Sequence, residues 1–237
     1  MYVPLKHTLS SLALETLAQA PRHRPIAWLL AYARLAPDGG AVPEAEVRKI
    51  AATLGPAGPR ALRRLEVLGI LQRDGRAKNS IIRLAPEFLP HRDYFNRQVR
   101  RLASTLTALD RQRPGGTRAT ALRRGVALFN AGLFFECHEF LENIWRATVG
   151  PDRDFYHGII QVAAAFYHFE KGNQHGARTL LGKAVAKLQR YRPRHLGVDV
   201  APLLTDLAPW RQRFSAEAPG QPLAAGEAPI IRVRATI

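Results

Sequence analysis

The chain has 237 residues, 46% of them hydrophobic, and sets 35 lysines and arginines against 19 aspartates and glutamates, a formal net charge of +16. That length allows one large domain or two small ones with separate cores, and the apolar fraction excludes a disordered polymer. The charge predicts attraction to polyanions, nucleic acid ahead of a membrane surface because no basic amphipathic anchor stands out, and the single cysteine, Cys137, excludes an intramolecular disulfide.

The opening "MYVPLKHTLSS" lacks the charged-then-apolar pattern of a signal peptide. The longest apolar run, "GIIQVAAAFYHF", carries Gln161 and His168 and falls short of the roughly 20 residues a membrane helix needs. The expectation is a cytoplasmic protein without a membrane partner.

In chain order, the first ninety residues read as three or four helices and a hairpin. Pro25 opens "PIAWLLAYARLA", in which Ile26, Leu29, Leu30 and Ala33 share one helical stripe before the "PDGG" stop. A second helix starts at Pro43, with Val47, Ile50, Ala51 and Leu54 on one face and Gly55 at its end. A third runs from Pro59 to Leu68, capped by Gly69. The segment "ILQRDGRAKNSIIRLAP" then gives two short apolar-polar runs around Asp74 and Gly75, a hairpin signal.

Helix, turn, helix and hairpin in this order resemble the winged helix-turn-helix of bacterial regulators. The residues that carry the resemblance are "VPEAEVRKIAATLG" and "GPRALRRLEVLGILQRDGR", and the match covers about Pro25 to Pro86. On a helical wheel from Pro59, Ala61, Leu62, Leu65 and Leu68 occupy one side, and Arg60, Arg63, Arg64 and Val67 the other. In a major groove those arginines would meet phosphates or guanine edges, and Val67 a thymine methyl. Arg73, Arg76 and Lys78 would sit on or beside the wing. The turn reads "GPAGP" where sequence-reading regulators usually offer Ser, Thr, Gln or Asn, so affinity for duplex DNA is easier to predict than specificity.

From His91 to Arg113, Phe95, Val99, Leu102, Leu106 and Leu109 form a heptad-like stripe. The reading is a connecting helix that packs onto the bundle after it. "RPGGT" then breaks the chain before five further helical segments with short connections, which imply antiparallel neighbours. The expected fold is mainly α: a winged helix with a small β-hairpin over 1–90, a connecting helix and linker over 91–116, and an antiparallel helical bundle over 117–214. The Ala/Pro/Gly-rich segment 215–237 reads as a flexible tail in which "IIRVRATI" could add a strand.

Within the bundle, "LFNAGLFFECHEFLENIW", "GIIQVAAAFYH" and "KGNQHGARTLL" together resemble domain-of-unknown-function family 309, over about Leu122 to Tyr191. The positions that fit its pattern are Asn130, Gly132, His138, Glu139, Glu142, Trp145, Gly158, Gln161, His168, Gly172, Asn173, Gly176 and Ala177. Cys137 departs from the small residue expected there, and His157 lies outside the pattern. The resemblance implies a compact helical fold and supplies no reaction.

His138 and Glu142, four apart, share a helical face, with Glu139 about 100° away. A zinc protease would place a second histidine where Glu142 stands. On the next helix His157, Gln161 and His168 share a face, but His157 and His168 are roughly 16 Å apart along the axis, too far to hold one metal. Counting outward from a turn near Gly150 pairs His138 with Gln161 and Glu142 with His157, a polar network that fixes register. A metal or catalytic site and a small-ligand or partner site are the alternatives. No cofactor is called for.

The preferred function is a non-enzymatic, DNA-associated protein, with regulation as one role and with the bundle supplying homodimerisation or a ligand or partner surface. A metal-dependent hydrolase-like activity centred on His138, Glu139 and Glu142 and a protein-interaction adaptor that does not touch DNA are the other two readings.

Overall fold

Apolar residues recurring at three- and four-residue intervals fold most of the chain into helices, and the chain divides into two units, Met1–Thr107 and Ala108–Ile237. The computed structural model describes residues 3–18, 25–55, 58–75, 79–110, 118–215, 222–224 and 226–234. No helix among them is long and apolar enough to cross a membrane.

In the first unit α1 (Val3–Ala18), α2 (Pro25–Leu35), β1 (Val42–Pro43), α3 (Glu44–Leu54) and α4 (Pro59–Val67) precede the strands β2 (Leu71–Asp74) and β3 (Ile81–Leu84). The sheet runs β1-β3-β2, antiparallel throughout, with Val42 and Arg73 both opposite Ile82. Trp28, Leu29, Leu65 and Ile82 are fully buried in its core. The Tyr32 hydroxyl ties the sheet to the loop before it: it donates to the Gly40 carbonyl at 2.8 Å and accepts from the Leu84 amide at 2.7 Å. Burial pushes its pKa up to about 12.

A short 3-10 turn, Pro86–His91, leads into α5 (Arg92–Asp110). The first turns of α5 pack onto the first unit, where the sequence pattern alone favoured the bundle. Phe95 meets the edge of Tyr32 at 6.3 Å between centroids, and Asn96 Nδ2 donates to the Pro37 carbonyl at 2.8 Å. An apolar stripe marks a face to be buried without saying against what.

The second unit holds α6 (Arg118–Asn130), α7 (Phe134–Arg146), α8 (Asp152–Glu170) and α9 (Gln174–Leu188), then a two-residue hairpin, β4 (Arg194–His195) with β5 (Val198–Asp199), and α10 (Val200–Arg213). Phe129, Phe134, Phe166 and Phe214 are its central rings, with Phe129 edge-on to Phe166 at 5.5 Å and Phe134 at 5.3 Å from Phe166. Gly125 and Gly158 let helices approach closely: a Cβ on Gly125 would lie 2.3 Å from a methyl of buried Leu141, and one on Gly158 2.8 Å from Leu188.

Part of the expected tail is tied down. Asn130 Nδ2 donates to the Ile231 carbonyl and Asn130 Oδ1 accepts from the Ile231 amide, both at 2.9 Å. Val233 makes a single antiparallel bridge to Val198, the form taken by the strand that "IIRVRATI" allowed. Arg194 Nε and Arg234 Nε donate to the two oxygens of Asp199 at 2.7 and 2.9 Å and hold it below the usual carboxylate range. Asn130→Ala removes both links to Ile231, so denaturant unfolding should show a loss of about 1 to 3 kcal/mol, with faster amide exchange at 231–234 than in the wild type.

Candidate functional site

Two surfaces were marked by the sequence, one in each unit. In the first, Gly58 precedes α4 in extended conformation and Pro59 occupies its first turn, where a missing amide proton is tolerated. Ala61, Leu62 and Leu65 are buried, whereas Arg60, Arg63 and Arg64 are exposed and Val67 is 73% exposed. The helix therefore presents the face that the wheel assigned to solvent.

Carboxylates already engage part of that face. Arg64 pairs with Glu15 of α1 at 3.0 Å, and Arg73 pairs with Glu66 at 2.8 Å and Glu44 at 3.7 Å. Burial raises the Glu44 carboxyl, but the Ser80 hydroxyl at 2.7 Å and the charges of Arg48 and Arg73 outweigh it and leave the pKa lowered. Arg60 and Arg63 have no carboxylate within ion-pair distance among the described residues. Arg76 and Lys78 lie outside the described residues.

In the second unit, Trp145 stacks near His157 at 5.0 Å and Phe135 near Tyr167 at 5.3 Å. These contacts set α7 antiparallel to α8 in the register counted from the turn, with Gln161 level with the interval between His138 and Glu142. The hydrogen bonds differ from the expected pairs. His138 Nδ1 lies 3.1 Å from Glu139 Oε1, Arg146 donates to Glu142 at 3.0 Å, and buried Gln161 leaves its Oε1 without a hydrogen-bond partner among the described residues. Glu142 reaches Arg146 one turn along its own helix, a geometry every helix offers, and Trp145 occupies the space facing His157.

The result is a half-exposed strip in place of a sealed network: the side chains of His138, Glu139 and Glu142 are 30%, 39% and 27% exposed. One ligating atom from each falls within 4.8 Å of the others, so the three can converge on one cation. With Nδ1–H given to Glu139, a neutral His138 carries its lone pair on Nε2.

His168 has the opposite tautomer. Asn173 Oδ1 accepts the Gly176 amide at 2.8 Å as the cap of α9, which turns its amide nitrogen to His168 Nδ1 at 2.9 Å. That ring nitrogen accepts, and the proton of the neutral ring sits on Nε2 as a donor. Burial, with the charge of His138 second, holds the His168 pKa below its usual range.

Sequence reasoning passed over Glu136, which is fully buried in the first turn of α7. Burial and then the Glu136 charge push the Cys137 thiol well up, and burial, then Glu136 and Glu170, raise the Tyr167 hydroxyl. Cys137 is therefore a packed thiol without thiolate reactivity. The closeness of Glu136 to the His138-Glu139 pair was the available signal, but nothing in the spacing tells a buried carboxylate from an exposed one.

His157 is also depressed, by burial first and then by Lys187, with Arg153 and Lys183 adding and Asp154 opposing. For both imidazoles the folded state favours the neutral ring, whereas the unfolded chain takes up its proton near pH 6.5. Their contribution to stability is present above that pH and is lost as pH falls below it. An NMR titration should place both midpoints below 6.5, and midpoints at or above that value would contradict these environments.

Residues 122–180 match the family described as Domain of unknown function (DUF309). The chain is also similar to "Uncharacterized protein YpuF" of Bacillus subtilis (strain 168), 40% identical over 57 residues, which cover 24% of this chain and 33% of that protein. The chain thus spans about a third of the length of the curated relative it matches. No solved structure matches it. The matched stretch of the family runs from α6 into α9 and contains the whole of α7 and α8, so the strip from Glu136 to Asn173 lies within the family segment.

Proposed function

We propose that the first unit is a winged helix-turn-helix that binds duplex DNA, and that the helical unit supplies a ligand or partner surface to a DNA-associated, non-enzymatic protein. The observation that carries this reading is α4: Arg60 and Arg63 stand exposed beside Val67 on the face opposite a buried Ala61-Leu62-Leu65 stripe. The β2-β3 hairpin that follows α3 and α4, with β1 added to its β3 edge, supports it, because the hairpin begins beside the carboxy-terminal end of the exposed helix. Arginine on a solvated helix face binds phosphate oxygens through charge and its planar donor fork. With no Asn or Gln on the exposed positions of α4, adenine readout is absent from that helix and backbone contacts dominate.

Fluorescence anisotropy with a mixed-sequence duplex tests this. Affinity should fall steeply with added salt, and Arg60→Ala with Arg63→Ala should reduce it about tenfold and lower the log-log salt slope by about 2. No binding at low salt would sink the reading.

A second reading, a metal-dependent hydrolase-like site, is favoured by the convergence of His138, Glu139 and Glu142. Their half-exposure would leave coordination positions for water, and a carboxylate beside the ion could take the proton of that water. Elemental analysis of protein purified without chelator should then find about one divalent ion per chain that His138→Ala lacks; equal metal content in the two proteins would count against it.

A further inference from the structure

The start of α8 and the end of α9 bring a further group of cations together on the helical unit. α9 lies close against α8 there: a Cβ on Gly158 would be 2.8 Å from Leu188 Cδ2 and 3.6 Å from Lys187 Cβ. Lys183 and Lys187, one turn apart on α9, are about 6 Å from each other along the axis. Arg153 of α8 lies over the Trp145 ring at 4.4 Å, and His157 lies 5.0 Å from the same ring.

The acidic groups of this region are engaged locally. Glu142 pairs with Arg146 at 3.0 Å, Asp154 with Arg190 at 3.9 Å, and Asp152 with His195 at 2.8 Å. Arg153, Lys183 and Lys187 have no carboxylate within ion-pair distance among the described residues, and Arg153 and Lys183 are exposed. Burial first, and then the charges of Lys187, Arg153 and Lys183 against that of Asp154, lower the His157 pKa.

We propose that Arg153, which lies over Trp145, and Lys183 and Lys187 on the adjoining end of α9 form a nucleic-acid contact that takes the phosphodiester backbone. Three cations from two adjacent helices offer neighbouring phosphates separate partners, and a half-exposed indole is a platform on which a base can stack once Arg153 moves to a phosphate. A membrane surface is disfavoured because Val149 is the one large apolar side chain exposed near this end among the described residues, and a single valine offers little area for insertion.

The test uses the full chain with two labelled probes, single-stranded oligothymidine and a mixed-sequence duplex of equal length, titrated at several salt concentrations. Arg153→Gln with Lys183→Gln and Lys187→Gln should weaken binding of at least one probe about tenfold and lower its salt slope by about 2 to 3. The loss should persist when Arg60 and Arg63 are already alanine, which separates this surface from α4. The probe more affected tells single strand from duplex as the backbone's source.

Affinity and slope unchanged by the triple substitution for both probes would overturn the proposal even if Arg60 and Arg63 prove essential. A wild type that binds neither probe would overturn it as well, as would loss of binding to polyglutamate alone. Trp145 emission is an independent measurement that needs no triple variant. It should change on addition of the bound oligonucleotide in the wild type and not in Trp145→Phe, and an unchanged wild-type spectrum contradicts the contact.

Discussion

Nineteen carboxylates cannot neutralise 35 lysines and arginines, so the chain must choose which cations to pair, and that choice shapes its surface. Several carboxylates go to arginines that link elements: Glu15 to Arg64 between α1 and α4, Glu66 to Arg73 between α4 and β2, and Asp199 to both Arg194 and Arg234 near the carboxy-terminal end. The cations left without such partners among the described residues include Arg60 and Arg63 on one unit and Arg153, Lys183 and Lys187 on the other. Exposed ion pairs contribute little to stability, so the pairing matters mainly for where positive charge remains available to a polyanion.

The same constraint frames the strip on α7 and α8. Phenylalanines from α6, α7 and α8 make the core, and His138, Glu139 and Glu142 of α7 and His168 of α8 are left half-exposed at its edge, where the hydrogen bonds of His138 and Glu142 are local. His138 bonds its chain neighbour, and His168 bonds the cap of the next helix. Two histidines about five residues apart in level thus present different ring chemistry, a lone pair from one and a donor from the other.

Legibility in the sequence followed the range of the interaction. Helix ends were readable because their causes are local: Pro59 at the start of α4, Gly69 after it with φ of +66°, and Asn173 capping α9. The exposed arginine face of α4 and the register of α7 against α8 were also readable, the first from periodicity and the second from the length of a turn. Contacts between distant segments were not. The Glu15 to Arg64 pair, the Tyr32 link to Leu84 and the Asn130 clasp of Ile231 join residues 49, 52 and 101 positions apart. The β4-β5 hairpin was missed for a different reason: its turn uses Leu196 and Gly197, both at positive φ, and leucine gives no warning of that conformation.

Hydrogen exchange read by mass spectrometry on the full chain, with and without excess mixed-sequence duplex at low salt, addresses the central claim by position as well as by affinity. The account predicts slowed exchange across α4 and β2, residues 59–74, with the buried segments of α2 unchanged. Duplex binding that leaves exchange over 59–74 unaltered would contradict it.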